Sequence, residues 1–438
     1  MAGPYARAVT QPPDFPQTAE ATAPPLALHR DANFRRFWFG EAISQFGIEV
    51  GVLALPVIAV TLLDATESQV GYLNAAAFAA FLFVGLPAGA WVDRWNKRST
   101  MIRANALRFA ATLAVPALWF AGVLAMWQLY VLAALIGIGR VFFDVCYQSY
   151  IPFLVRPSQV SDANSKLEST AQIARMGGPA LGGLLLKFIS APVLMIIDAV
   201  GYLASILALR GVNDDEQPHD RAQQTRLVAD IREGLAFVAQ HRIIRAITMC
   251  TGISNFFGTM LMTLVSIYVL RLLDFSPAVL GFIVGAGAVG GLLGAVSARH
   301  IGEYVGEGRT IPLAALLIAP AMALVPTASY LPERWMQIGL LVVSEALFGF
   351  GVIVYNVIQV SMRQRACPKR LLGRMNASIR FFVWGVMPLG ALAGGWLGEA
   401  IGVVATLWIA VAGQALAALP VIASPLRSMR EFPDPPAD

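Results

Sequence analysis

Acidic and amide side chains recur within the first long apolar stretch of this sequence. Glu41, Gln45 and Glu49 follow one another at intervals of four residues, so a helix holds them within an arc of roughly 80°. If the stretch spans a membrane, a charge at its centre costs about 2.5–3.5 kcal/mol and needs a reason. We interpret Glu49, the deepest of the three, as a carboxyl group that exchanges a proton when a cation arrives. The alternative is a protonated or hydrogen-bonded glutamate that serves packing.

Two further charges lie four residues apart, so Arg140 and Asp144 share a helix face and can form an ion pair. The pair is either structural or opens when Glu49 changes protonation, which requires both helices to face one cavity. Glu345 lies far from a helix end, and we interpret it as a substrate-facing carboxylate. The proton-coupling candidates are therefore Glu49, Glu41, Arg140, Asp144 and Glu345.

Several polar residues in apolar stretches are candidates for lining a cavity. They are Gln45, Asn356, Gln359 and Arg380. Arg108 and Arg380 can alternatively extend their guanidinium groups to the aqueous surface. Asp198 falls near the outer start of its stretch, where we expect a contact at a helix end.

The composition indicates a bilayer as the main solvent of these stretches. Hydrophobic residues make up 57% of the 438 residues and charged residues only 13%, against roughly a quarter charged in soluble domains. Apolar runs of about 20 residues, the length that crosses ~30 Å of hydrocarbon, recur from Phe37 to Ala423. The sequence therefore predicts an all-α polytopic membrane protein with twelve transmembrane helices.

The helices divide into two bundles of six. We predict a disordered tail over 1–33, a first bundle over 34–209, a linker with an amphipathic helix over 210–243, a second bundle over 244–424 and a tail over 425–438. Lys and Arg concentrate in alternate connections, whereas the other connections hold only Lys187, Arg271 and Arg334. Positive loops stay in the cytoplasm, so we predict an inner (plasma) membrane protein with both termini cytoplasmic.

The sequence lacks the residue patterns that metal-binding proteins, ATPases and nucleic-acid-binding proteins require. Three cysteines without C-x-x-C spacing and four histidines outside the apolar stretches give no metal site. No Gly-x-x-x-x-Gly-Lys-Ser/Thr motif occurs, so we expect no ATP hydrolysis. No combination of nucleophile, metal ligands and base stands out either, so we expect no enzyme activity. The net charge of +5 sits in short clusters between apolar runs, which argues against nucleic acid. No cofactor is expected beyond a proton gradient.

The two halves share an internal repeat. An Asn-containing segment precedes a Pro- and Gly-rich stretch in each half, with Asn164 before Pro179 and Asn376 before Pro388. A duplicated six-helix unit explains this pattern, and such repeats commonly meet at a substrate site near the membrane midplane.

The connection after the second stretch resembles a known motif. It reads Gly89-Ala-Trp-Val-Asp93-Arg94-Trp-Asn-Lys97-Arg98 and resembles the cytoplasmic loop motif of the major facilitator superfamily, which implies a gate latch. Asn96 stands where that family usually has Gly, and we expect it to take a left-handed conformation. The resemblance implies the twelve-helix major facilitator fold in two six-helix pseudo-repeats.

A glycine-rich stretch extends the resemblance to exporters. Gly177, Gly178, Pro179, Gly182 and Gly183 are similar to a segment of drug:proton antiporters, including macrolide-efflux and enterobactin-exporter proteins. Plain close packing of helices explains the same glycines. The resemblance implies a secondary transporter that works as a monomer in the lipid bilayer. By alternating access it would export a small lipophilic molecule, such as a drug, a macrolide-like compound or a siderophore, against protons. An importer, a lipid flippase and a non-transporting sensor or scaffold remain alternatives.

Overall fold

The computed structural model describes residues 28, 31–92, 95–156, 159–213, 227–368 and 371–430. These residues form twelve long helices, α1 to α12, and a separate linker helix, with no strand among them.

The first half contains six helices. They are α1 (Ala32–Leu62), α2 (Glu67–Phe83 continued by Gly85–Val92), α3 (Lys97–Phe120), α4 (Met126–Leu154), α5 (Val160–Leu185) and α6 (Ala191–Arg210). The linker helix (Leu227–Gln240) precedes the second half. That half contains α7 (Arg242–Leu272), α8 (Pro277–Val305), α9 (Glu307–Thr327), α10 (Arg334–Ala366), α11 (Leu372–Gly385 continued by Met387–Ile401) and α12 (Val403–Ala417 continued by Leu419–Ile422).

Nine of these helices are long and apolar enough to cross a membrane by composition alone. The other three are α2, α3 and α5. The described part of α2 is interrupted at Val84, α3 carries Arg103 and Arg108, and α5 begins with a polar half. Helices inside a bundle can carry such residues, so these three are consistent with the twelve predicted spans.

The two halves repeat one packing pattern. In the first half, α1 packs against α5 and α6, α4 against α2 and α3, and α3 against α6. In the second half, α7 packs against α11 and α12, α10 against α8 and α9, and α9 against α12. Each contact in one half therefore has a counterpart six helices later, which is the arrangement expected of a duplicated bundle.

The ends of α1 and α7 show the repeat residue by residue. Each helix finishes in a π-helical turn, Ile58–Leu62 in α1 and Tyr268–Leu272 in α7. Asp64 and Asp274, 210 positions apart, follow these turns with φ angles of 47° and 53°. Asp tolerates this left-handed conformation better than most residues. The Leu-Leu-Asp signal was in the sequence, but our sequence analysis did not use it.

The halves meet at two crossings, α2 with α11 and α5 with α8. A Cβ atom on Gly71 would lie 3.0 Å from Gly395 Cα, and one on Gly183 would lie 3.0 Å from Gly281 Cα. Both crossings therefore bring backbone against backbone. They lie near the ends of the helices opposite the chain termini. We call this the far side, and the side where α1 begins the terminal side.

The linker helix packs against the beginning of α11. Glu233 forms an ion pair with Arg374, and a Cβ atom on Gly234 would lie within 2.5 Å of Ser378 Oγ. Val238 is buried with Met375 in one apolar cluster. The linker therefore contacts the second bundle directly.

Candidate functional site

A cavity of about 1000 Å³ lies between the halves on the terminal side. Side chains from α1, α3, α4, α5, α10 and α11 line it. The polar stripe of α1, formed by Glu41, Gln45 and Glu49, faces this space. Contacts between the halves at the far side leave the cavity between their terminal ends.

Glu49 is placed by a glycine of α5. A Cβ atom on Gly178 would lie 2.4 Å from Glu49 Cβ, so the glycine allows α1 and α5 to approach here. Arg175 Nε lies 3.9 Å from Glu49 Oε1, and Arg175 Nη1 lies 3.5 Å from Glu168 Oε1. Sequence reasoning missed Arg175 and Glu168. Their position within a predicted membrane helix was the signal that could have identified them.

Arg140 and Asp144 form the expected pair on α4, with 3.7 Å between Nε and Oδ2. Both line the same cavity as Glu49. The geometric requirement for a switchable pair is therefore met, although the same geometry also suits a structural pair.

Arg108 does not extend to the aqueous surface, so the snorkelling prediction was wrong for it. Its side chain is only 4% exposed. It donates hydrogen bonds to Tyr202 Oη at 3.0 Å and Asn105 Oδ1 at 3.2 Å, and its guanidinium lies over the Tyr202 ring at 4.1 Å. These partners retain the charge inside the first bundle because they replace water as hydrogen-bonding groups.

Two carboxyl groups lie near Arg108. Glu41 is buried and accepts a hydrogen bond from Gln45 at 2.9 Å. Asp198 is also buried, and it packs under Gly51, where the first α-helical segment of α1 ends. Glu41 Oε2 and Asp198 Oδ1 each have no hydrogen-bond partner within the described ranges. The first bundle thus contains a cluster of charges, in which Glu41 and Arg108 line the cavity and Asp198 does not.

The second half contributes cations and one large ring to the cavity. Arg363 of α10 and Arg380 of α11 line it. The Arg380 guanidinium lies 4.9 Å from the centre of the Trp384 ring. Arg363 also belongs to this wall, a position that the sequence did not indicate.

Glu345 and Gln359 lie away from the main cavity. Glu345 is 8% exposed and packs against Gly287 of α8, and neither it nor Gln359 belongs to the main cavity lining. Gln359 donates to Asn356 Oδ1 at 3.3 Å. Asn356 lines a second cavity, of about 310 Å³, which is enclosed mainly by the second half and also by Asn74 and Phe78 of α2.

The glycine-rich stretch of α5 packs against two helices. Besides Gly178, Gly182 would place a Cβ atom 2.2 Å from Val50 O of α1, and Gly183 meets α8. Gly177 has open space around its Cβ position, and Pro179 stays within an uninterrupted α5. Close packing therefore accounts for three of the four glycines.

Part of the loop motif lies outside the described residues, namely Asp93 and Arg94. Gly89 lies in the last turn of the segment that ends at Val92. Arg98 donates to Leu209 O at 2.7 Å and Arg210 O at 2.8 Å, at the end of α6, where a cation is favourable. Lys97 Nζ lies 4.9 Å from the centre of the Phe153 ring.

The expectation for Asn96 was wrong. Its φ angle is −64°, in the extended region, and its side chain accepts a hydrogen bond from Ser99 N at 2.8 Å. Asn96 therefore acts as the N-cap of α3, because its amide oxygen satisfies a free backbone donor of the first turn.

Comparisons with known proteins identify relatives of this chain. A family model described as transmembrane secretion effector matches residues 23–437. The chain is 27% identical over 402 residues to multidrug efflux pump Tap of Mycobacterium tuberculosis (strain ATCC 25618 / H37Rv), covering 90% of this chain and 91% of Tap. It is 22% identical over 404 residues to macrolide efflux protein A of Streptococcus pyogenes, covering 91% of this chain and 97% of that protein.

Solved structures share the fold. A bacterial homologue of the iron transporter ferroportin, in its inward-facing state, aligns with a TM-score of 0.69 at 16% identity, covering 91% of this chain and 99% of that one. A D-xylose-proton symporter aligns with a TM-score of 0.67 at 15% identity, covering 94% and 99%. The predicted all-helical major facilitator fold is confirmed, and the twelve long helices are consistent with the predicted number.

The family match spans nearly the whole chain, and the relatives named above are efflux transporters. The protein is a multi-pass membrane transporter. It belongs to the transmembrane secretion effector family, within the drug-efflux branch of the major facilitator superfamily.

Proposed function

We propose that this transporter exports small lipophilic molecules, including organic cations, in exchange for protons. The observation that carries the proposal is the pair of Glu49 and Arg175 at the cavity wall. The names of two relatives, a multidrug efflux pump and a macrolide efflux protein, support the direction and the class of substrate. The positive connections support a terminal side that faces the cytoplasm.

The pair gives a physical basis for exchange. A distance of 3.9 Å is too long for a direct hydrogen bond, so Arg175 holds Glu49 only loosely. A proton and an organic cation each neutralise the same carboxylate, so binding of one favours release of the other. Cation binding from the terminal side would therefore release the proton, and a proton arriving from the far side would release the cation.

The test is a comparison of wild type with Glu49→Gln in inverted vesicles. The amide keeps the size of the side chain but does not take up a proton. Tetraphenylphosphonium, a permanent cation, is added to energised vesicles while its uptake and the internal pH are recorded. We expect uptake that dissipates the pH gradient in the wild type, and at least a tenfold loss of both signals in Glu49→Gln.

The matched control is Glu303→Gln, because Glu303 forms an exposed ion pair with Arg299 at 2.8 Å away from the cavity. It should behave as wild type. Intact coupling in Glu49→Gln would remove Glu49 from the mechanism. Accumulation in the opposite direction would indicate an importer, movement of fluorescent lipid alone would indicate a flippase, and no flux of any compound would favour a sensor or scaffold.

A further inference from the structure

We propose that the second cavity, formed mainly by the second half, binds an uncharged, hydrogen-bonding part of the substrate. We further propose that an aromatic pair separates it from the main cavity. The inference rests on the proposed export function, since it assigns a substrate class to a distinct region of the same pathway.

The internal repeat relates the two cavities. Counting 210 positions from α1 to α7 pairs Glu41 with Thr251, Gln45 with Asn255, and Glu49 with Thr259. The three residues of α1 line the main cavity, and their three counterparts line the second cavity. Equivalent helix faces therefore enclose both spaces. The first presents two carboxyl groups, and the second presents hydroxyl groups at the same two positions.

The second cavity offers neutral hydrogen-bonding groups among apolar ones. Ser254 Oγ and Gln414 Nε2 lie 2.8 Å apart, and Thr251 Oγ1 and Tyr355 Oη lie 2.9 Å apart. The buried Thr263 Oγ1 has no hydrogen-bond partner in the part of the chain that the structure describes. None of the lining residues is charged. A hydroxyl, ether or carbonyl group finds partners here, whereas a cation finds no countercharge.

An aromatic pair stands between the two spaces. The rings of Phe81 and Trp384 meet edge to face, with centroids 4.6 Å apart, and both line a pocket that continues the main cavity. One turn further toward the far side, Phe78 and Met387 line the second cavity. Passage between the cavities therefore requires these rings to move.

Both helices that carry the pair are interrupted beside it. The first segment of α2 ends at Phe83, two residues after Phe81, and the first segment of α11 ends at Gly385, one residue after Trp384. Pro388 lacks the N–H that would continue the helical bonds of α11. Such interruptions let a helix bend locally, so the pair can open without moving a whole bundle.

Gly258 of α7 provides a direct test, because it lines the second cavity and has no atom within 4 Å of its Cβ position. A new side chain there enters the cavity without overlap. Gly339 of α10 also has open space around its Cβ position but lines neither cavity. It therefore supplies the matched control.

The first measurement is protection from alkylation. Gly258→Cys and Gly339→Cys are made in a background that carries Cys146→Ser and Cys367→Ser and keeps Cys250, which lines the second cavity. They are labelled with N-ethylmaleimide in membranes, and the background without an added cysteine serves as the blank. Erythronolide B, an uncharged macrolactone rich in hydroxyl groups, should slow labelling of Gly258→Cys at least fivefold and leave Gly339→Cys unchanged. Tetraphenylphosphonium should protect neither cysteine. No protection by erythronolide B, or equal protection by the cation, would overturn the proposal.

The second measurement is transport of erythronolide B into inverted vesicles. Gly258→Phe fills the cavity and should lower the rate at least tenfold, whereas Gly339→Phe should retain it. A wild-type rate in Gly258→Phe would overturn the site. If erythronolide B protects Gly258→Cys but wild-type vesicles transport nothing, the binding site stands and the export function fails.

Discussion

The two bundles share one packing pattern but differ in the chemistry of their interiors. In the first bundle, Arg108 is surrounded by aromatic rings and amides, with Glu41 and Asp198 nearby. In the second bundle, the face of α7 that corresponds to the stripe of α1 carries neutral pairs such as Ser254 with Gln414, and the buried Glu345 lies elsewhere, against Gly287 of α8. The two bundles therefore share their helix contacts but differ in the side chains that these helices enclose. Each half can on this basis serve a different step of transport.

The largest expected effect comes from breaking the charged interior. Arg108→Ala removes a buried cation from beside two buried carboxyl groups, and we expect a loss of about 3–5 kcal/mol in the free energy of unfolding. Gln414→Ala in the neutral interior removes the two hydrogen bonds with Ser254 and should cost about 1–2 kcal/mol. Equilibrium unfolding in mixed micelles measures both.

Arg299→Ala is the control, because its ion pair with Glu303 is exposed and should contribute at most about 1 kcal/mol. If Arg108→Ala and Gln414→Ala cost the same, the two interiors would be energetically equivalent and the contrast drawn above would fail.

A smaller effect is expected at the two glycine crossings between the halves, where both halves should respond alike to a substitution. A Cβ atom on Gly281 would lie 2.4 Å from Pro179 O, and one on Gly71 would lie 2.9 Å from Ala391 O. Gly281→Val and Gly71→Val should each disfavour closure of the far side by about 1–3 kcal/mol. Labelling of Ser68→Cys, a residue beside Gly395, should become at least fivefold faster in both variants.

Gly339→Val serves as the control and should label at the background rate. Faster labelling in only one of the two crossing variants would show that the crossings are not equivalent, despite their matching glycines.

The smallest effect concerns the first turns of α1 and α7. Asp31 accepts hydrogen bonds from Asn33 N and Phe34 N, and His241, 210 positions later, accepts one from Ile244 N at 3.3 Å. Burial lowers the pKa of His241 below its ordinary value of 6.5. Because the neutral form is favoured, the cap is fully present above pH 6.5. It is lost as the pH falls through the lower native pKa.

His241→Asp should therefore reduce the pH dependence of the melting temperature below pH 6.5. The effect should correspond to about 1 kcal/mol in the free energy of unfolding, the typical contribution of an N-cap. His300→Asp, at an exposed position of α8, is the control. An unchanged pH profile in His241→Asp would mean that the imidazole does not contribute as a cap.

The fold could be predicted from the sequence because the features that indicate it are local. Apolar length, the alternation of positive connections and the repeated Asn and Pro segments all lie along the chain. The charge stripe of α1 and the Arg140–Asp144 pair could also be derived, since both depend only on helical spacing. The finer 210-residue repeat was equally available, and Asp64 and Asp274 mark it.

The remaining features depend on contacts between distant segments. Arg175 meets Glu49 only because Gly178 lets α1 and α5 approach, and Arg108 stays buried only because Tyr202 of α6 lies beside it. Helix spacing gives the direction of a side chain on its own helix, not the partner it meets on another one.

The glycine crossings also bear on the entropy of the conformational cycle. At Gly71 with Gly395 and Gly183 with Gly281, closure presses main chain on main chain. Glycine has no side-chain rotamers to lose, whereas a long side chain loses about 1.5–2 kcal/mol when fixed. Closing the far side therefore loses little conformational entropy, and reopening it regains little. The populations of the two states are left to be set by what occupies the cavities, a proton or a substrate molecule.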